Sequence, residues 1–180
     1  MSSETLVLSG ARIIDGTGAE PVRGRAVVVE GGVITAVVDE ARAPRGRGLD
    51  LAGHTLLPGL INCHVHLCLG AEADPVRPLR EEPLAFTTLK ALMRARQTVE
   101  AGVTTVRDLG GREYAEIAVR RAVNDGFFPG PRILAAGRPV CMTGGHGHWL
   151  AREADGPDDA RRAVREQLKA GADVIKIIAT

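Results

Sequence analysis

The sequence has few aromatic residues, few cysteines and almost no net charge, and each of these absences excludes something. Aromatic side chains make up 3% of the 180 residues, so glycine, alanine and valine must do most of the packing. Three cysteines without zinc-finger spacing indicate neither a disulfide framework nor a zinc finger, and they suit a reducing cytoplasm. A net charge of +1 favours neither nucleic acid nor an anionic membrane as a partner. Long apolar runs and a secretion signal are also lacking, so a cytoplasmic protein is predicted.

Residues 1–57 are predicted to form a small all-β piece, because short apolar segments alternate with glycine. The Gly31-Gly32 pair between two of these segments suits a tight hairpin. The predicted strands are Leu6–Leu8, Ala11–Ile14, Ala26–Glu30, Val33–Val38 and Leu49–Leu57.

Residues 58–180 repeat a strand, a loop and a helix, which predicts α/β architecture around a parallel sheet covered on both faces. The predicted strands are Leu60–His66, Val103–Asp108, Arg132–Ala136 and Asp173–Ile178. The predicted helices are Leu84–Ala101, Glu113–Asp125 and Pro157–Ala170, and each is followed by a glycine suited to a left-handed cap. Their apolar stripes are predicted to be buried: Ala85, Leu89, Leu92 and Val99; Tyr114, Ile117, Ala118 and Ala122; Ala160, Val164 and Leu168.

Four such units are too few to close a (β/α)₈ barrel, which takes about 250 residues and eight strands. The pattern therefore predicts either the first half of a barrel or a smaller open sheet. A half-barrel would expose a long apolar edge, which a second chain or a second copy could cover.

The predicted strand Leu60–His66 ends in two histidines that could bind one metal ion. Alternate strand residues share a face, so His64 and His66 project from one side about 7 Å apart along the backbone. A pair of solvated histidines at a strand tip is the other interpretation. Asp108, which ends the next strand, could orient a ligand histidine or make a structural hydrogen bond to nearby backbone.

Lys176 and His146 are the other candidate site residues. Lys176 lies inside an apolar strand, where burial would lower its pKa and make a neutral amine accessible. Such an amine can combine with carbon dioxide to form a carbamate, although the lysine could also reach solvent from the strand end. His146 and His148 lie in a glycine-rich loop where they could contact a substrate, or could simply be exposed.

Four segments of the chain, in this order, resemble the amidohydrolase superfamily. They are Leu56–His66, Gly102–Gly110, Met142–Gly147 and Ala172–Ile177. The branch that the chain resembles is that of Xaa-Pro dipeptidase-like and imidazolonepropionase-related enzymes.

The resemblance implies a distorted (β/α)₈ barrel with a β-sandwich built from both chain ends. It implies hydrolysis of an amide or peptide C–N bond by a metal-activated hydroxide, on a dipeptide, an N-acyl amino acid or a cyclic amide. His64 and His66 would bind the first ion, and Lys176, as a carbamate, would bridge it to a second. The metal would be divalent, most simply zinc, as one or two ions.

The chain departs from the family pattern after its fourth predicted strand. The family takes two more histidines from its fifth and sixth strands and an aspartate from its eighth, and none of these is present. The chain is therefore expected to be an amino-terminal portion that is inactive alone. The alternatives are a non-catalytic truncated or split-gene product that needs a partner chain, and an open four-strand α/β binding domain.

Overall fold

The first compact unit of the chain ends at Pro58 and is built from short strands. The computed structural model of the protein describes residues 5–180. The strands of this unit are β1 (Thr5–Ser9), β2 (Arg12–Ile13), β3 (Arg25–Glu30), β4 (Val33–Asp39), β5 (Arg47–Asp50) and β6 (Thr55–Leu56). Four of them form a sheet in the order β4-β3-β1-β5, and β2 pairs with β6 in a separate parallel ladder. Assembly of these strands into a sandwich stays a prediction.

Two turns in this unit follow from glycine. The hairpin between β3 and β4 turns at Gly31 and Gly32, which both have positive φ angles, as predicted. The predicted strand Leu49–Leu57 is wrong, because it breaks into β5 and β6. The break is a turn in which the Asp50 carboxylate accepts the Ala52 amide at 2.9 Å and Gly53 has a φ of 81°.

The second compact unit, Gly59–Thr180, contains a parallel sheet and four α-helices. Strands β7 (Leu60–Val65), β8 (Val103–Asp108) and β9 (Arg132–Ala135) are neighbours in that order. Two-residue strands β10 (Val140–Cys141) and β11 (Arg152–Glu153) form a small parallel ladder. The helices are α1 (Val76–Glu81), α2 (Leu84–Glu100), α3 (Ala115–Asn124) and α4 (Gly156–Ala170). Mixed α/β content is confirmed, and α1 is an element that the sequence pattern did not predict.

The predicted fourth strand, Asp173–Ile178, is not part of this sheet. β9 ends at Ala135, whose carbonyl accepts the Asp173 amide at 2.8 Å. The chain beyond then pairs with Val140: the Val140 amide donates to the Lys176 carbonyl at 2.8 Å, and the Ile178 amide donates to the Val140 carbonyl at 2.9 Å. A single bridge between Val140 and Ile177 replaces the expected ladder.

The sheet is covered on one face, not on both as predicted. Val106, Ile133 and Ala135 turn toward the helices and belong to the main buried cluster, whose other members are Leu67, Ala91, Ala95 and Val119. Ile61 and Leu134 remain 67% and 39% exposed. The described part of the chain therefore leaves apolar strand residues open to solvent.

The helices form nearly where predicted, but they bury different faces. In α2 the buried residues are Thr87, Ala91 and Ala95, whereas the predicted Ala85 and Leu89 are exposed. In α3 they are Ala115, Glu116 and Val119, whereas the predicted Ala118 is exposed. In α4 they are Ala163 and Gln167, whereas the predicted Leu168 is exposed. Between residues 5 and 180, no helix combines the length and the apolar character needed to cross a membrane.

Candidate metal centre

Two imidazole rings lie side by side at the end of β7. The ring centroids of His64 and His66 are 5.5 Å apart, and the ring planes are inclined by 63°. Val65 between them packs against the buried cluster on the helix side. Because neighbouring strand residues point to opposite faces, both imidazoles lie on the side away from the helices. The pairing of β7 with β8 is irregular here, and the Asn62 side chain accepts the His64 amide at 3.0 Å.

The ring of His66 is held by one hydrogen bond. Its Nδ1 atom lies 2.9 Å from the Gly110 carbonyl oxygen. A carbonyl only accepts, so Nδ1 carries the proton and the lone pair of the neutral ring is on Nε2. Burial lowers the pKa of His66 below 6.5; the Gly110 bond opposes this shift and the Lys176 charge adds to it. The neutral ring, which is the form that binds metals, is therefore favoured.

The ring of His64 is exposed and is also biased toward the neutral form. Its pKa is lowered first by desolvation and then by the positive charges of Lys176, His66 and Arg107. The Arg107 guanidinium is held nearby, because its Nε donates to the Cys63 carbonyl at 2.9 Å. Two neighbouring imidazoles, each with a pKa lowered toward the neutral form, thus lie at the end of β7.

Lys176 lies near both histidines but not inside a buried strand. Its positive charge lowers the pKa of His64 and of His66. The residue is half-buried and belongs to the irregular segment paired with Val140. The prediction of a lysine enclosed within a regular strand is therefore wrong, because β9 offers no ladder at this position.

His146 is placed in the loop between β10 and β11, and its side chain is exposed. Its backbone amide donates to the Thr180 carbonyl at 3.0 Å. The nearby His148 is also exposed, with Nδ1 3.2 Å from the Gly145 carbonyl. The structure places the rings of His64 and His66 next to each other, with Lys176 close enough for its charge to act on both, and leaves His146 in the loop. The role of His146 in substrate contact stays a prediction.

Two buried carboxyl groups lie behind the histidine pair. The Asp108 carboxylate accepts the Leu67 amide at 2.8 Å on Oδ2 and the Gly110 amide at 2.9 Å on Oδ1. Burial raises the pKa of Asp108 to about 7, although these two hydrogen bonds oppose the shift. This agrees with the interpretation of Asp108 as a partner of nearby backbone.

Glu116, in the first turn of α3, is a buried acid that the sequence did not reveal. Its exposed fraction is 0%, and neither carboxylate oxygen makes a hydrogen bond of ordinary geometry. Burial, followed by the charge of Asp108, raises the pKa of Glu116 to about 8. In the sequence this glutamate resembles any acidic residue near a helix N-terminus, where a solvated side chain is expected.

The residues that meet at this site fit one side of a divalent metal site. Structural and catalytic zinc sites use three or four protein ligands, and neutral imidazole is a preferred one. In the stretch from Thr5 to Thr180, no three side chains of the His, Cys, Asp and Glu types are arranged to hold a metal ion. Two imidazoles with a lysine beside them are consistent with part of a ligand set.

Comparison with known proteins identifies the class to which this site belongs. Residues 55–180 match the model of the amidohydrolase family. The sequence is 32% identical over 209 residues to the ochratoxinase of Aspergillus niger, an alignment that covers 98% of this chain and 42% of that protein. The chain belongs to the amidohydrolase family.

Two further similarities place the chain within the branch expected from its motifs. A crystal structure of a prolidase complexed with N-methylphosphonate-L-proline superposes with a TM-score of 0.84 at 30% identity. It covers 96% of this chain and 46% of the prolidase. An imidazolonepropionase of Klebsiella pneumoniae (strain 342) is 39% identical over 66 residues, which is 37% of this chain and 16% of that enzyme. The family and branch are thus confirmed, and the chain spans less than half the length of these relatives.

Proposed function

We propose that this chain carries one part of the active site of a metal-dependent hydrolase that cleaves an amide or peptide C–N bond. The observation that carries the proposal is the pair of imidazoles of His64 and His66, whose ring centroids are 5.5 Å apart. The positive charge of Lys176 helps to lower the pKa of both rings. Membership of the amidohydrolase family supports it. Three cysteines that are free among the described residues support a cytoplasmic location.

His64, His66 and Lys176 are the residues that would hold a divalent ion, most simply zinc. When bound, such an ion supplies a polarised carbonyl and an activated water molecule at neutral pH. The lowered pKa of both rings favours the unprotonated form that binds a metal, and the hydrogen bond to Gly110 leaves Nε2 of His66 as the nitrogen with the lone pair. The Lys176 amine would add to carbon dioxide with loss of one proton, and the resulting carbamate oxygens would provide a further ligand for one or two ions.

His146 is proposed to contact the substrate. It is exposed in the loop between β10 and β11, where an incoming carbonyl or carboxylate could reach its ring. The glycines on either side of it leave the loop room to approach a small molecule.

The proposed substrate is a dipeptide or an N-acyl amino acid, with a cyclic amide as the second possibility. The first class is supported by the similarity to a prolidase and to a Xaa-Pro dipeptidase, the latter with a TM-score of 0.83 at 28% identity. The second is supported by the imidazolonepropionase and by an allantoinase that is 38% identical over 111 residues.

Zinc binding to the purified chain tests the proposal directly. We expect the wild-type chain to bind zinc in isothermal titration calorimetry, and the His64→Ala and His66→Ala variants to lose this binding. Lys176→Ala should weaken it. His54→Ala is the matched control, because His54 is an exposed histidine in the other compact unit. Equal binding by the wild type and by both alanine variants at positions 64 and 66 would refute the proposal.

We further expect the 180-residue chain to hydrolyse dipeptides very slowly even with zinc. The part of the chain that the structure describes gathers only two histidines and one lysine, fewer groups than a closed catalytic zinc site with its proton-handling residue requires. Turnover at ordinary enzyme rates, about 10 per second, would contradict this expectation.

The second candidate function is a non-catalytic chain that works only with a partner. It is favoured by apolar side chains left open in the second unit: Leu60, Ile61, Leu134 and Ile177. A second copy or a chain with complementary strands would cover them. Gel filtration with mass measurement separates the candidates, since a monomer that binds zinc favours the hydrolase and a zinc-free dimer favours the partner-dependent chain.

A further inference from the structure

We propose that Asp108 is a positioning residue for His66, acting through the backbone of two loops to set the direction of the imidazole. The proposal rests on the function proposed for the histidine pair and assigns to it a residue outside the ligand set. The geometry is a closed ring of contacts. Asp108 Oδ2 accepts a hydrogen bond from the Leu67 amide, and Asp108 Oδ1 accepts one from the Gly110 amide. The Gly110 carbonyl accepts a hydrogen bond from His66 Nδ1–H, which closes the cycle.

The hydrogen bond between Leu67 and Asp108 fixes the main chain that carries the imidazole of His66. Leu67 follows His66 directly, and its amide donates to Asp108 at 2.8 Å. The Leu67 side chain is 4% exposed in the main buried cluster, so its position is constrained on both sides. The Cα–Cβ direction of His66 is therefore tied to the end of β8.

The hydrogen bond between Gly110 and Asp108 fixes the carbonyl group to which His66 Nδ1–H donates. The Gly110 amide donates to Asp108 at 2.9 Å, and the carbonyl of the same residue lies 2.9 Å from His66 Nδ1. Gly110 has a φ of 144°, and a Cβ atom built there would lie 2.5 Å from Pro139 Cγ. This glycine thus lies against Pro139, where a side chain would not fit, and its amide is bonded to Asp108.

Each carboxylate oxygen of Asp108 accepts one backbone N–H, so an asparagine at this position cannot replace the aspartate. Asp108 is 0% exposed, so the two amides that it accepts have no water to replace it. In Asp108→Asn one oxygen remains as an acceptor, but the new NH₂ group faces a backbone N–H and cannot accept it. The variant keeps the side-chain volume and loses one of the two hydrogen bonds that Asp108 accepts from the backbone.

The ring tautomer of His66 is the readout that a purely structural role would leave unchanged. Two-bond ¹H–¹⁵N spectra near pH 8, where the imidazoles are neutral, report which nitrogen carries the proton. In the wild type we expect His66 to be the Nδ1–H tautomer. In Asp108→Asn we expect a mixture of tautomers for His66 and an unchanged spectrum for His64, whose ring is not part of the closed ring of contacts.

Zinc affinity gives the second readout, with the metal alone as the probe. Loss of a group that orients a metal-binding histidine costs tenfold to a hundredfold in affinity, and we expect a loss of that size for Asp108→Asn. Glu116→Gln is the matched control, because Glu116 is a buried acid near Asp108 that makes no hydrogen bond of ordinary geometry. Its zinc affinity and His66 tautomer should equal those of the wild type.

The outcomes separate this proposal from the proposed function. A folded Asp108→Asn variant whose His66 tautomer remains that of the wild type would overturn the positioning role, even if zinc binds. If the wild-type chain binds no zinc, the metal site is refuted. If the Asp108→Asn variant nevertheless changes the His66 tautomer, the positioning role stands. If Asp108→Asn does not fold, Gly110→Ala tests the same carbonyl, and an unchanged tautomer there would refute the proposal.

Discussion

Glu116→Gln should make the second compact unit more stable at alkaline pH. Glu116 is fully buried, and one of its carboxylate oxygens occupies the place that a side chain at Gly111 would need. Glutamine has nearly the same shape and carries no charge at any pH. The substitution therefore removes the ionisation of a buried carboxyl group and leaves the packing almost unchanged.

The size of the effect follows from the pKa of the buried group. Burial raises the pKa of Glu116 from 4.5 to about 8 in the folded chain, so between these values the folded state holds a proton that the unfolded state has released. The free energy of unfolding is therefore unaffected by this group below the pKa of the unfolded state, and it falls as the pH rises toward the pKa of the folded state. From about pH 5 to about pH 8 the wild type should lose roughly 3 kcal/mol from this group. The glutamine variant should lose none of it.

Urea unfolding followed by the fluorescence of Trp149 is a suitable assay. This is the only tryptophan of the chain, and it packs against Cys68, Leu79 and Leu150 in the same unit as Glu116. The difference in unfolding free energy between the variant and the wild type should grow by about 3 kcal/mol from about pH 5 to about pH 8. A difference that stays constant with pH would show that Glu116 ionises normally in the folded state and would refute the reasoning.

Three further predictions concern the site and the core. Gly110→Ala should destabilise the chain by about 1–3 kcal/mol in urea unfolding, because its φ of 144° is strained for alanine and its Cβ would clash with Pro139. Lys176→Met should raise the pKa of His64 in an NMR titration, since it removes a positive charge that now lowers this pKa. Ala95→Leu should cost about 1–3 kcal/mol of unfolding free energy, because Ala95 is 0% exposed in the main cluster and the added atoms would overpack it.

Each of these predictions has a matched control or an outcome that contradicts it. Gly48→Ala should be nearly neutral, because its Cβ would meet nothing within 4 Å and its φ is not positive. If it costs as much as Gly110→Ala, the clash is not the cause. A His64 pKa that falls or does not move in Lys176→Met would mean that the lysine is too distant to act on the ring. Ala118→Leu, on the exposed face of α3, should leave stability within about 0.5 kcal/mol.

The sequence pattern located most elements of the second unit but not the faces that they bury. β8 has the predicted bounds, and α2 and α4 lie within one residue of theirs. Period and capping residues mark a helix because they act within the element itself. In α4, however, Gln167 is buried where Leu168 was expected. Its side chain accepts the Arg138 amide at 2.9 Å and donates to the Ala163 carbonyl at 3.0 Å, so it is satisfied without water.

The candidate site was predictable where it depends on a local rule and not where it depends on distant chain segments. The alternation of strand residues was sufficient to place His64 and His66 together. The half-buried position of Lys176 follows from the early end of β9, and the burial of Glu116 follows from its position beside Gly111 and Gly137. The sequence within a few residues of Lys176 or of Glu116 contains no pattern that predicts either position.

By itself, the sequence determined the family, the bounds of β8, the approximate extents of α2 and α4, and the identity of the paired imidazoles, since motifs, capping residues and two-residue alternation are local properties of a chain. Only the tertiary structure decided that Asp108 joins the backbone after His66 to the Gly110 carbonyl, which accepts the hydrogen bond from His66 Nδ1–H. That ring of contacts joins residues more than 40 positions apart. Hydrogen bonds across such separations depend on how strands and loops pack, and packing is a property of the whole fold.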